Sequence, residues 1–178
     1  MDCLIRGFPT TIINTRPDID TTDALGRLDG ALALLERYVP HHYRRLPRDV
    51  AGFLIERRAY RGAFLPATRM LLVELTFVVN RSFSLAQVAA TILHEGMHAR
   101  LYRRGLATGA DESHRQERFC RRAEIEFGRL VPGGEPIVER AVAALTLSNR
   151  EIAPIVDPDL AARRIAEVDR AARDRDRG

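Results

Sequence analysis

Residues 81–105 read RSFSLAQVAATILHEGMHARLYRRG, and the punctuation of this stretch predicts a helix from local chemistry alone. Ser84 followed by Gln87 three positions later is a capping box, and Phe83 and Val88 stand where a hydrophobic staple would bracket it. Arg103 and Arg104 place cations in the last turn, and Gly105 supplies a C-terminal stop. The predicted helix therefore runs over 85–104. Val88, Ala89, Ala90, Ile92, Leu93, Met97, Ala99 and Leu101 make it apolar around most of its girth, so it is expected to be buried. Gly96 lies on a side where a missing side chain lets another element approach. The polar exceptions, His94, Glu95, His98 and Tyr102, fall on one narrow sector, and buried imidazoles and carboxylates need partners.

His94 and His98 are four residues apart, about 40° around a helix, so both imidazoles can reach one tetrahedral metal at ~2.0–2.1 Å. Glu95 is turned too far round to be a natural third ligand but is placed to take a proton from a metal-activated water. Random placement of this composition gives about 0.01 matches to H-E-x-x-H. The bland alternative is a polar stripe on a half-buried helix. Zinc hydrolytic sites use three protein ligands and an open position. The downstream candidates are Glu112, His114, Glu117 and Glu124. The stretch ARLYRRG after His98 contains no glycine–histidine continuation, which disfavours a three-histidine set.

Outward from this helix, Thr22 or Asp23 caps a helix to about residue 39, with Leu25, Leu28, Leu32 and Leu35 on one stripe and Pro40 beyond it. TTIIN, residues 10–14, is a short β-like piece. VAGFLIERR, YRGAFLPAT and MLLVELTFVVN, within 50–80, read as three strands. Pro66 consigns the middle one to a sheet edge, while the apolar density of 69–80 suggests a strand buried on both faces. Downstream, Asp111 starts a helix to residue 130 whose apolar face carries Phe119, Ala123, Phe127 and Leu130. Pro132-Gly133-Gly134 stops it; another helix spans roughly 135–148, and Asp157-Pro158 caps a last, Arg/Asp-rich one. The expected architecture is α+β, one domain over 1–178. A short mixed or antiparallel sheet of about three to four strands packs on the H-E-x-x-H helix, with the metal-binding core in 50–130 and C-terminal helices in 135–177.

All 28 basic residues are arginine, against 24 acids, and the net charge is only +4. That looks like a composition bias rather than a selected patch, so a nucleic-acid partner is not expected; the tail 159–178 is where one would bind. No apolar run approaches the ~20 residues of a bilayer span, and MDCLIRGFPTT does not read as a secretory signal. Cys3 and Cys120 are too few for a disulfide framework and fit a reducing compartment, so a soluble cytoplasmic protein is expected. Cys120 reads as a small core residue. Glu74 is an odd guest in an apolar strand: an edge or arginine-paired residue, or a support for the histidines. His41 and His42, in a polar connector, read as solvated.

His94-Glu95-Gly96-Met97-His98, then 18 residues and Glu117, resembles the gluzincins, zinc metallopeptidases with the spacing H-E-x-x-H-x18-E. The resemblance covers roughly residues 60–130, and the small size is similar to the minimal members. It implies a zincin-like fold, Zn2+ held by His94, His98 and Glu117, and Glu95 as general base for peptide hydrolysis on a peptide or protein substrate. By the residues' own periodicity Glu124, at ~95° from the buried face's centre, stands slightly closer than Glu117 at ~115°. The family spacing decides for Glu117 with Glu124 second, and the ordinary reading of each is an ion pair with the surrounding arginines. RGAFLP would be the edge strand along which an extended peptide lies. No motif for holding a free N-terminus is present, so aminopeptidase activity is not implied. Tyr102 and His114 are the candidates for steadying a tetrahedral intermediate. The competing expectation is a non-catalytic or regulatory protein on the same scaffold, binding a partner or cutting one dedicated protein. An intact Glu95 argues against the non-catalytic form.

Overall fold

The computed structural model describes residues 1–106, 113–153 and 163, and in it the 81–105 stretch forms as its local chemistry dictates. The helix spans Leu85–Arg103 (α5), with Ser84 and Gln87 closing both hydrogen bonds of the capping box. Its far end is a Schellman turn: Gly105, at φ 68°, donates to Tyr102 O and Leu106 donates to Leu101 O. Only a residue tolerant of left-handed backbone closes such a turn without strain.

Five strands form one mixed sheet: Asp2–Ile5 (β1), Phe8–Ile12 (β2), Gly52–Glu56 (β3), Gly62–Leu65 (β4) and Met70–Glu74 (β5), ordered β1-β2-β3-β5-β4. β2, β3 and β5 run parallel, and β1 and β4 close the two edges antiparallel. The expected three to four strands become five because the N-terminal piece is a whole hairpin. Arg6 and Gly7 both take positive φ, the backbone of a two-residue turn. β4, which ends just before Pro66, is an edge strand, as the proline required.

The second half of MLLVELTFVVN corrects the sequence reading. Leu75–Val79 is a helical turn (α4), not strand. Glu74 ends β5 and caps the turn, accepting at Oε2 from Phe77 N and from the Thr76 hydroxyl, both at 2.6 Å, while Oε1 lies 3.5 Å from Arg57 Nη1. A buried carboxylate stops the strand because it satisfies the amides that a helix start exposes.

The helix Thr21–Tyr38 (α1) buries Ala24, Leu28, Ala31, Leu32 and Leu35; its cap is Asp20, just ahead of the expected Thr22 or Asp23. Short turns Pro40–Tyr43 (α2) and Leu46–Asp49 (α3) lead into β3. α5 packs between α1 and Ser113–Leu130 (α6) and against β4 and β5. At Gly96 an added Cβ would meet Leu46 at 2.7 Å, so the expected close approach is made by α3. Each fully buried Leu or Ile of α5 contributes about 1.5–3 kcal/mol. Glu135–Leu145 (α7) and Asn149–Ile152 (α8) complete the described chain. The expected starts at Asp111 and Asp157-Pro158, candidate Glu112 and most of the tail lie outside the described residues. Among the described residues no helix is long and apolar enough to cross a membrane.

Candidate metal centre

α5 and α6 run side by side and supply the site between them. On α5, the i,i+4 spacing brings His94 Nε2 and His98 Nε2 to 3.2 Å from each other. From α6, Glu117 Oε1 lies 3.0 Å from His98 Nε2, and Oε2 lies 3.3 Å from His94 Nε2. Donors about 2.0–2.1 Å from a tetrahedral ion stand roughly 3.3–3.4 Å apart. The observed separations of 3.0–3.3 Å, with one Glu117 oxygen toward each histidine, lie close to that spacing, so these three residues could hold a zinc ion.

Glu124 does not join the triangle. Its carboxylate is 1% exposed and stands 3.1 Å from the other edge of His94, at Nδ1. The ring N–H is not aimed squarely along that line, so the contact is an ion-pair approach before it is a hydrogen bond. Arg121 Nη1 donates to both Glu124 oxygens at 3.1 and 3.0 Å, and Arg140 reaches it at 3.4 Å. Carboxylate behind histidine is the arrangement that fixes a metal ligand's ring and raises its basicity. Glu74, spent on capping α4, takes no such part.

These contacts set the charge of the site. Burial opposes protonation of His94, but the Glu117 and Glu124 carboxylates outweigh it and raise its pKa to about 9. Burial likewise works against ionisation of Glu117 and Glu124, and their contacts with His94 nevertheless hold both below the usual carboxylate range. Cys120 is fully buried one turn after Glu117, with its sulfur near the histidine pair. Burial, reinforced by the nearby carboxylates, pushes its thiol well up.

The buried face of α6 differs from the sequence expectation. Ala123, Phe127 and Cys120 face inward as expected, but Phe119 and Leu130 are 43% and 52% exposed, and Glu124 is buried with the core residues. By wheel arithmetic this turns the buried face roughly 55° toward the two glutamates. Ion pairing to Arg121 makes that rotation affordable, since Arg121 also lies 3.6 Å from Glu117 Oε2.

Glu95 faces the sheet edge, where its Oε2 accepts from Phe64 N of β4 at 3.0 Å. Gly62 permits this proximity: an added Cβ would meet Thr91 Cγ2 at 2.7 Å and Glu95 Cγ at 3.2 Å. Glu95, His98 and Glu117 open into a cleft of about 540 Å³ walled by Tyr60, Gly62, Ala63, Phe64, Pro66, Tyr102 and Gln116. Tyr102 is 45% exposed there, with its ring 5.5 Å from that of Phe64. His114 does not line the cleft. The Phe64 amide and Gly62 escaped the sequence reading; an ion pair with the surrounding arginines is the ordinary expectation for either α6 glutamate, and Glu124 makes it with Arg121 and Arg140.

No protein-family model matches this chain, and neither a curated protein nor a solved structure matches it.

Proposed function

We propose that the chain is a zinc-dependent hydrolase of the H-E-x-x-H kind, most simply a metallopeptidase with a zincin-like fold akin to the gluzincins. The observation that carries this is the donor triangle of His94, His98 and Glu117, with Glu95 one residue along and facing the same cleft. These three residues would hold the ion. A bound zinc would supply Lewis acidity toward a scissile carbonyl and an attacking water. Glu95 is the residue that would take the water's proton as its oxygen adds to the carbonyl carbon, and pass it to the amine nitrogen as the C–N bond breaks. The Phe64 amide orients the Glu95 carboxylate for this exchange. The apolar wall along β4 suits an extended peptide with its side chains alternating into and out of the cleft.

Cys120 favours a second reading, a non-catalytic scaffold with a closed four-ligand structural metal. One experiment separates the two. Purified protein retains zinc and cleaves a mixed fluorogenic peptide set, Glu95→Gln keeps the metal and loses turnover, and the cobalt-substituted protein has no thiolate charge-transfer band. Zinc binding unchanged in His94→Ala and His98→Ala overturns the centre; unchanged turnover in Glu95→Gln overturns the base; a thiolate band supports the closed site.

A further inference from the structure

A second group of metal-ligating side chains converges on the opposite face of α6. Glu126 follows Glu117 by nine residues, about 180° around the helix and roughly 13 Å along it. His41 Nε2 lies 3.2 Å from its Oε1, and His42 Nε2 lies 3.5 Å from its Oε2. Consecutive helical residues normally point about 100° apart. Here the two imidazoles are tilted together, with ring centroids 4.2 Å apart, and one ligand atom from each of the three residues falls within 4.8 Å of the others. The His41 and Glu126 side chains are each 45% exposed, which leaves an entry path, while His42 at 11% gives a fixed anchor.

We propose that His41, His42 and Glu126 form a second site for a divalent transition-metal ion, independent of the cleft, that straps the α2 turn to α6. Two imidazoles and one carboxylate suit zinc, copper or nickel rather than the oxygen-seeking calcium or magnesium. The ordinary alternative, an ion pair of Glu126 with a protonated histidine, needs no metal and predicts no binding. An ion here ties the connector between α1 and β3 to the helix that carries Glu117 and Glu124. It touches none of the cleft residues.

The test is zinc stoichiometry by equilibrium dialysis on the full chain, with zinc as the only added ligand. His41→Ala and Glu126→Gln, both at exposed side chains, each bind one ion fewer than wild type and keep wild-type peptide turnover. His98→Ala, which removes a cleft ligand, retains the second ion, and zinc still raises its melting temperature. Adding His41→Ala to that variant abolishes the zinc-induced shift. The proposal is overturned if His41→Ala and Glu126→Gln bind as many ions as wild type. Failure of the cleft assignment registers separately, as an unchanged ion count in His98→Ala.

Discussion

Replacing Glu124 and Glu117 by glutamine, one at a time, tests the division of labour between the two α6 carboxylates. Glu117 sits within 3.0 and 3.3 Å of the two Nε2 atoms, whereas Glu124 meets only His94 Nδ1, at 3.1 Å. Glu124→Gln keeps the volume and one acceptor oxygen. Arg121, which bonds both oxygens of Glu124, then competes with His94 for the single oxygen that remains. The ring loses its anionic support but keeps its place. Removing such a partner weakens metal affinity by about 10–100-fold, roughly 1.4–2.7 kcal/mol. Glu117→Gln removes an anionic ligand itself, so its loss must be larger. Zinc dissociation constants from competition with a chelator should rank wild type tightest, Glu124→Gln intermediate and Glu117→Gln weakest. Glu124→Gln also leaves Arg121 and Arg140 less compensated beside a buried group, at a cost of order 1.5–3 kcal/mol, so affinities are to be measured where both variants are folded. If Glu124→Gln loses more zinc than Glu117→Gln, the roles are reversed. If neither loses any, the triangle is not a metal centre.

The site should also make both metal binding and stability depend on pH. The metal-free protein keeps a proton on His94 up to about pH 9, so zinc binding at pH 7.5 releases close to one proton, visible as calorimetric enthalpies that vary with buffer ionisation; no variation would contradict the Glu117–His94–Glu124 arrangement. His94's folded pKa is raised above 6.5, so its stabilising contribution is complete below that value and is lost as pH climbs through about 9; Glu117 and Glu124, lowered from 4.5, contribute above that value and lose their contribution on acidification. Melting temperatures of the metal-free chain should therefore decline on both sides of a window near pH 4.5–6.5, and a flat profile would count against the buried ion pair. Gly62→Ala should push β4 from α5 and displace Glu95, costing about 1–3 kcal/mol in stability. It should lower turnover much more than zinc affinity; wild-type turnover with wild-type stability would show that the Cβ fits.

The elements most legible in the sequence are those whose signals are local. α5 announces itself by Ser84, Gln87 and Gly105, all acting within a turn of the ends they define. The strand reading of 69–80 failed at Leu75 because Leu, Thr, Phe and Val are common strand residues, and composition there outvoted the cap that Glu74 provides. The five-strand count needed the Arg6–Gly7 turn, whose only sequence mark is one glycine. His41 is half-exposed in keeping with its solvated reading, but His42 at 11% is not, and its partner Glu126 is 84 residues away, beyond any local signal.

The choice between Glu117 and Glu124 as the proposed third ligand marks where periodicity runs out. Glu117 and Glu124 are seven residues apart, so on a helix they differ by about 20° in azimuth and no wheel can separate them. They differ by roughly 10.5 Å along the axis instead. An imidazole has two nitrogens on different edges, and α6 crosses His94 so that one glutamate stands at Nε2 and the other at Nδ1. The carboxylate at Nε2 also reaches His98, and the one at Nδ1 cannot, because His98 presents its own Nε2 to the Glu117 level. The packing of α6 on α5 therefore assigns Glu117 to the triangle and Glu124 to the support behind it. That packing depends in turn on Cys120, Ala123 and Phe127 facing inward while Phe119 and Leu130 stay exposed.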